Sequence, residues 1–591
     1  MSRYVIVGAG AAGLYTAFQL LRSDRIRAAD TVEIYEWSQR PGGRIHTYSF
    51  TEPKAWADQG LYVEVGGMRF AVDERFPDLP TSGCEGHVLV QSMILQLKLQ
   101  DLVRAFQESS NRLYYLRGVN AYESNLTPAA IHQLPYGFTT QFFDFIGRIS
   151  QGSITADAIL GQIAADFGPH EGATREEWCS YFAQGRVPRG QGSEAFPEGT
   201  PISDIGYWNL LYDQLGDEGF DYSADGTGYT SNVINWNSAD AMQANGDYGS
   251  GSPYRRLDGG YSQLFTAMAD AVTTMGGQLH YGQRLTCLTE SEDGTQTYCD
   301  FVQDTGEQLT VTADYLFLAM PRRSLEMVAE GSPESYMLNQ PAVQLWRESA
   351  IDQPAIKAIM VFDEPWWTGS ACAYPPNLEW PSDAPQPAPP PAQQVGGATI
   401  TDLPLRMVYY FGNNVPSGPG NQGGPYVLLA SYDDMNYSDF WRQLETQGDY
   451  TVAPSSIRQP LHGPTQVDPG SPMAQLLRKQ LAEVHGIRPD DVPLPAAVYF
   501  QDWGQDPFGG GYHGWAAHYN ICQAMDNMRA PYANVLGNDV TKTYIVGSCY
   551  SFDQAWVEGA FCTAQSVLED FFGLAPDPYA GGYHLVCRPT D

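Results

Sequence analysis

One short segment constrains this chain more than any other. Residues 4–7 (YVIV) form an apolar run that reads as a buried strand, and GAGAAG (8–13) follows at once. LYTAFQLLRS then carries helical spacing, and TVEIYE (31–36) makes a second strand ending in an acid. In such a unit Gly8 permits the tight turn, Gly10 lets the backbone approach a pyrophosphate, and Gly13 lets helix and strand pack closely. The helix start at Ala11 and Ala12 offers free N–H groups and a positive dipole end to phosphate. Glu36 closes the second strand, where its carboxylate can accept hydrogen bonds from a ribose diol. The glycines alone are a weak signal. Strand, helix, second strand and terminal acid together predict a dinucleotide-binding βαβ unit.

At 591 residues the chain exceeds one simple core, so two or three domains are expected. Its 33 Lys+Arg against 68 Asp+Glu give a formal net charge of −35, which makes nucleic acid and anionic membranes poor partners. Solubility accounts for this charge better than steering of cationic substrates does. Nine cysteines occur without a CxxC pair, which argues against metal fingers and against a disulfide scaffold. A strand that begins by Tyr4 leaves no room for a cleavable signal peptide, and no stretch approaches the length of a membrane span. The expectation is a soluble, cytoplasmic protein.

Further along, HVLVQSMILQLKLQDLVRAFQ (87–107) reads as one long amphipathic helix, and helical and loop-rich segments such as YWNLLYDQL (207–215) run to about 245. Sheet patterning returns at LHYGQRLTCL (279–288) and TVTADYLFLAM (310–320). It resumes at IKAIMVF (356–362), LRMVYYF (405–411) and YVLLASY (426–432). The proline-rich stretch Tyr374 to Gln394 reads as an exposed loop insertion, because patterned strands continue on both sides. A strand, TYIVGS (543–548), and a helix, WVEGAFCTAQSVLEDFF (556–572), close the chain. Nucleotide-binding features thus lie at both ends, which predicts a fold in which the chain leaves the dinucleotide domain and returns to it.

SQRPGGRIHT (38–47) follows Glu36 almost directly. The doublet of Gly42 and Gly43 permits another close backbone approach, and Arg44 presents a planar donor fork to a phosphate or a flavin edge. This SxRxGGRxxT pattern resembles the flavin amine oxidase family of monoamine, polyamine and L-amino-acid oxidases. EVGGMRF (64–70) resembles the family's second glycine block under the flavin, with Gly66, Gly67, Met68 and Arg69 against the cofactor. Asp258-Gly259-Gly260-Tyr261 with Leu264, ADYLFLAMP (313–321), and Trp503 with Asp506 and Pro507 resemble three further blocks in order. VGSCYSFDQAWVEGA (546–560) is similar to the last strand and helix, which bring Gly547, Ser548, Ala555, Trp556 and Ala560 to the cofactor, and Leu285 is placed there by the same likeness.

The resemblance implies an α/β and α+β fold: a Rossmann-like FAD-binding domain, a discontinuous substrate-binding sheet domain and a helical insertion. The expected boundaries are 1–70, 253–332 and 535–591 for FAD binding, 71–130 and 333–534 for the substrate sheet, and 131–252 for the helical part. FAD is expected to be noncovalent, because glycine in FGGGY (508–512) replaces the cysteine that tethers flavin in monoamine oxidases.

Within the family GGMRF resembles the L-amino-acid oxidases, whose arginine, here Arg69, binds the substrate carboxylate. A buried carboxylate needs a bidentate, permanently charged partner, and arginine provides one. A structural ion pair is the plain alternative for Arg69. Lys357 falls where the family has a lysine holding a water near flavin N5, and the cost of burying it favours a role over a strand-edge lysine reaching solvent. Trp556 falls where the family places an aromatic beside the substrate amine, next to Ala555 in place of glycine. Trp503 is either another aromatic wall or an ordinary core residue. LLASY offers Tyr432 to the substrate carboxylate, although a gapless match puts Ser431 there. The family's terminal Gly-Glu or Gly-Asp is Gly547-Ser548, and YTSNVINWNSAD (229–240) lacks the histidine proposed as a base in venom-type enzymes. The implied activity is oxidation of an L-amino acid by O₂ to a 2-oxo acid, ammonia and H₂O₂. The alternatives are an amino-acid 2-monooxygenase and an amine or polyamine oxidase. Related enzymes suggest a homodimer.

Overall fold

The computed structural model describes residues 1–72, 86–109, 111–149, 152–170, 172–230, 234–248, 254–368, 396–412, 414, 424–445 and 459–589. The proline-rich stretch from Tyr374 to Gln394 lies outside them.

Arg3–Val7 is the middle strand of a five-stranded parallel sheet. Thr31–Tyr35 and then Gln278–His280 lie on one side of it, and Tyr315–Leu318 and then Thr543–Ile545 on the other. Tyr4–Val7 are all buried, as a parallel strand covered on both faces requires. Helix Ala11–Arg22 packs on this sheet against the last helix, Val557–Phe572, with the Tyr15 and Phe561 rings stacked at 4.6 Å. The five strands come from three stretches, 3–35, 278–318 and 543–545, so the chain leaves this layer twice and returns each time.

The second layer is an eight-stranded sheet. Its order is Thr465–Val467, Ala497–Asp502, Ala355–Phe362, Tyr426–Asp434, Met407–Gly412, Ala398–Thr401, Leu113–Leu116 and Val119–Tyr122. Ala355–Phe362 is buried throughout, and its period of two sorts its side chains between two cores. Ala355, Ile359 and Val361 join the main core on one face, and Ile356, Ala358, Met360 and Phe362 fill a separate core on the other. Lys357 shares the parity of the first set and so points toward the cofactor-type layer. Helices between Thr140 and Tyr248 form a third part.

The segment 87–107 departs from the expected single helix. The helix spans Val88–Gln96, Lys98 takes a left-handed φ of 60°, and Gln100–Leu102 is a single 3-10 turn. Val103–Ala105 is then a strand paired with Tyr254–Leu257. The helix is also not amphipathic, since Val88–Ile94 are all buried. Its first turn is held by the buried Glu558 carboxyl, which accepts from the Leu89 and Val90 N–H groups at 2.8 and 2.9 Å. The cysteines form no scaffold among the described residues, but one disulfide joins Cys179 on helix Arg175–Gln184 to Cys587 in the C-terminal tail. The two cysteines are 408 residues apart, so no local spacing pattern marks them as a pair. Among the described residues no helix is long and apolar enough to cross a membrane.

Candidate active site

Two adjoining cavities of about 210 and 80 Å³ lie between the layers and share Ile45, Gly67, Ala555, Trp556 and Val557 as walls.

The larger cavity is built on the glycine turn. Gly8 has φ +107°, and a Cβ there would lie 2.4 Å from the Ala319 carbonyl oxygen. A Cβ on Gly13 would lie 1.9 Å from the Gly8 carbonyl oxygen, so Gly13 forms the back of the turn and does not line the cavity. Gly10, Ala11 and Ala12 line it, and so do Ala555, Trp556, Val557 and Ala560. Two helices therefore open their N-termini on the same space, a favourable place for anionic groups. Glu36, also in the wall, accepts from the Ala9 and Ser38 N–H groups at 2.7 and 2.8 Å, which fixes its carboxylate at the strand end.

In the SQRPGGR segment the labour is divided. Ser38 donates to the Arg40 carbonyl, and Arg40 donates to the Gly43 carbonyl at 2.7 Å, so both shape the turn. Gly43 and Arg44 face the cavity. Arg44 donates to the Gly511 carbonyl at 3.0 Å and to Ser548 Oγ at 3.1 Å. The serine in place of the family's acid thus meets this arginine, whose pKa burial lowers. Leu285 and Gly547 complete the expected wall. Sequence reasoning missed Trp37, Arg284 and Phe508; Arg284 lies over the Trp37 ring at 4.6 Å. An acid at one end, helix N-termini, glycine approaches and the half-buried Arg44 fit a flavin dinucleotide.

The smaller cavity brings together Gly66, Gly67, Met68, Arg69, Lys357, Tyr432, Ala555 and Trp556, with Tyr229, Tyr261 and Tyr512 added. Tyr229 and Tyr512 carried no signal beyond lying in segments already singled out. Lys357 Nζ donates to the Gly66 carbonyl at 2.6 Å and the Glu64 carbonyl at 3.1 Å, and lies 4.8 Å from the Tyr432 ring. Burial lowers the Lys357 pKa, and the nearby Glu64 carboxylate opposes that shift. Glu64 is pushed up, also by burial, while it accepts from the Tyr261 N–H and the Thr47 hydroxyl at 2.6 and 2.8 Å.

Tyr432 rather than Ser431 faces this cavity because of a bulge. Ala358 pairs with Ser431 but Ile359 pairs with Leu429, so Ala430 is extra and the parity of the strand changes. Tyr432 comes directly opposite Lys357, and Ser431 turns away to donate to the Leu405 carbonyl.

Arg69 is buried, with Nη1 on Glu108 Oε1 at 3.2 Å and its guanidinium carbon 4.1 Å from the Tyr254 ring centre. Burial opposes its charge, but Tyr409, Tyr229, Tyr254 and Glu108 together raise its pKa above the ordinary value. Among the described residues no histidine lines the smaller cavity. Trp503 corrects the expected aromatic wall: it lines neither cavity, donates Nε1–H to the Val65 carbonyl at 2.6 Å, and packs on Phe508 at 5.2 Å. It supports the second glycine block from behind.

A family model described as flavin containing amine oxidoreductase matches residues 11–448. Aplysianin-A of Aplysia kurodai is 23% identical over 96% of this chain and 89% of its own length. Achacin of Lissachatina fulica is 21% identical over 96% and 92%, and an L-amino-acid oxidase of Bothrops moojeni is 23% identical over 74% and 69%. Among solved structures, putrescine oxidase bound to putrescine superposes with a TM-score of 0.58 at 14% identity, over 97% of this chain and 99% of that one, a likeness of fold. The chain belongs to the family of flavin-containing amine oxidoreductases.

Proposed function

We propose that the protein is an FAD-dependent L-amino-acid oxidase, converting an L-α-amino acid, O₂ and water to a 2-oxo acid, ammonia and H₂O₂. One observation carries this reading: a buried, charged Arg69 lines a small cavity that shares walls with the larger, cofactor-sized one. A carboxylate is the natural counter-ion for it, and simple amines have none. The Bothrops relative, named as an L-amino-acid oxidase, supports the same reading.

FAD held in the larger cavity would supply the redox chemistry, taking two electrons from the substrate and passing them to O₂. Glu36 would hold a ribose hydroxyl of the bound group, and the N–H groups at the starts of helices Ala11–Arg22 and Val557–Phe572 would receive its anionic or polar parts. Binding is noncovalent in this reading. Gly511 lines the cavity, and Cys549 beside it is a poor nucleophile because burial raises its thiol pKa. Arg69 anchors the substrate carboxylate, and Trp556 walls the amine. Lys357, pushed toward its neutral form by burial, holds a water at Nζ and can take up its proton. The residues contribute position and exclusion of bulk water.

A second reading, an amine oxidase, is favoured by Glu108, whose carboxylate already meets Arg69. Arg69→Ala separates the two. For an L-amino acid KM should rise at least thirtyfold, since leaving a buried partner charge unpaired costs about 2–5 kcal/mol, while turnover of an amine lacking the carboxylate is spared. An unchanged amino-acid KM removes Arg69 as the anchor.

A further inference from the structure

Tyr254 lies outside the residues that wall either cavity, yet it touches both groups that define the smaller one. Its ring centre is 4.1 Å from the Arg69 guanidinium carbon and 5.8 Å from the Trp556 ring, with planes inclined by 22°. It is 3% exposed. The backbone explains how one ring reaches two segments so far apart in sequence. Tyr254–Leu257 is the central strand of a three-stranded sheet, with Phe70–Ala71 on one side and Val103–Ala105 on the other. Tyr254 pairs with Ala71, and Arg69 lies two residues before Ala71, so their side chains meet on the diagonal. On the other side the Tyr254 carbonyl accepts from the Phe106 N–H at 3.0 Å. The Phe106 ring lies 5.3 Å from the same guanidinium carbon, and Glu108 follows two residues later to pair with Nη1. Trp556 is backed in turn by His87, edge-on at 4.7 Å, and burial pushes that imidazole down to about 3, so it is neutral.

We infer that Tyr254 is the positioning residue that sets the spacing between the carboxylate anchor Arg69 and the amine wall Trp556, and so selects α-amino acids over amines lacking the carboxylate. This rests on the amino-acid reading of the site. A guanidinium on an aromatic face is held against rotation by the ring quadrupole, most strongly where water is excluded. An indole stacked on the same ring shares that reference plane. A substrate held at its carboxylate and its amine senses the distance between the two supports. A substrate held only at the amine does not.

The test uses the flavin-loaded protein, the L-amino acid that the wild type oxidises fastest, and the amine that lacks only its carboxylate. Tyr254→Leu should raise the amino-acid KM about tenfold, inside the roughly 2- to 30-fold range of one cation–π contact, and lower kcat less than threefold. It should weaken competitive inhibition by benzoate by the same factor as KM. The amine kcat/KM should fall less than threefold, and Tyr254→Phe, which keeps the ring, should restore wild-type KM. If Tyr254→Leu does not retain flavin, Tyr254→Met, unbranched and adaptable in a core, carries the same measurements. Equal losses for amino acid and amine, or an unchanged amino-acid KM in a flavin-loaded variant, overturn the role of Tyr254. A wild type that oxidises amines and no amino acid overturns the reading beneath it.

Discussion

Two glycines only three residues apart should fail in different ways when given a methyl group. Gly10 has φ −75° and ψ −171°, a conformation alanine adopts freely, and a Cβ there meets nothing closer than the Gly43 Cα at 3.9 Å. Gly10→Ala should therefore leave the melting of flavin-free protein within about 0.5 kcal/mol of wild type, as for other unstrained substitutions. The new methyl stands between two glycines of the cofactor wall, where a pyrophosphate needs close backbone approach. Crowding of that kind costs about 1–3 kcal/mol, or roughly 5- to 150-fold in flavin affinity. Gly13→Ala differs, because its Cβ would sit 1.9 Å from a backbone oxygen that cannot rotate away. Strand and helix must separate, and a loss above about 4 kcal/mol, with flavin gone as well, is expected. The assay is thermal melting of flavin-stripped protein beside flavin titration by fluorescence quenching. Wild-type flavin affinity in Gly10→Ala, or wild-type melting in Gly13→Ala, would refute the division between cofactor approach and helix packing.

Burial raises the pKa of Glu558 to about 8, so the folded protein holds its proton from about pH 4.5 to 8 while the unfolded chain releases it. The stability from this group is fully present below pH 4.5 and is lost as pH rises through 8. Melting of Glu558→Gln should accordingly decline less between pH 5 and pH 8 than that of wild type, and parallel declines would exclude Glu558 as the cause. Cys587→Ser should cost about 2–4 kcal/mol by freeing the tail from helix Arg175–Gln184; melting with and without reductant reads this, and an unchanged wild-type melt under reductant would contradict it. Such bridges persist in oxidising compartments, which pulls against the cytoplasmic expectation. Trp503→Phe leaves the buried Val65 carbonyl without its 2.6 Å donor, so a loss of about 1–3 kcal/mol in stability with KM changed less than threefold is expected. A large KM change would return Trp503 to the pocket.

The parts of the fold legible in the sequence were those in which one residue type answers one local physical demand. Gly8, Gly10 and Gly13 each answer such a demand, and Glu36 sits at a strand end that the alternation of TVEIY already fixes. Lys357 was legible because a lysine in an otherwise apolar strand has to be explained. The features that the sequence leaves open or misplaces depend on contacts distant in sequence. The bulge at Ala430 turns Tyr432 toward Lys357, and nothing within YVLLASY announces it. The segment after Gln96 keeps a helical composition, but the left-handed Lys98 and the pairing of Val103 with Leu257 end the helix. Trp503 was ambiguous because a tryptophan with its N–H on a carbonyl looks, in sequence, like one that walls a pocket. Glu108 and Tyr254 gave no signal at all, since their meaning comes from two neighbouring strands that bring them to Arg69.

The most direct test of the central claim is a peroxide-coupled assay of the flavin-loaded protein across the twenty L-amino acids and their decarboxylated amines. The account predicts O₂-dependent H₂O₂ with at least one L-amino acid, matched by equal amounts of 2-oxo acid and ammonia, and much weaker turnover of the corresponding amine. Peroxide from amines alone, or a carboxamide with CO₂ in place of the 2-oxo acid, would contradict it.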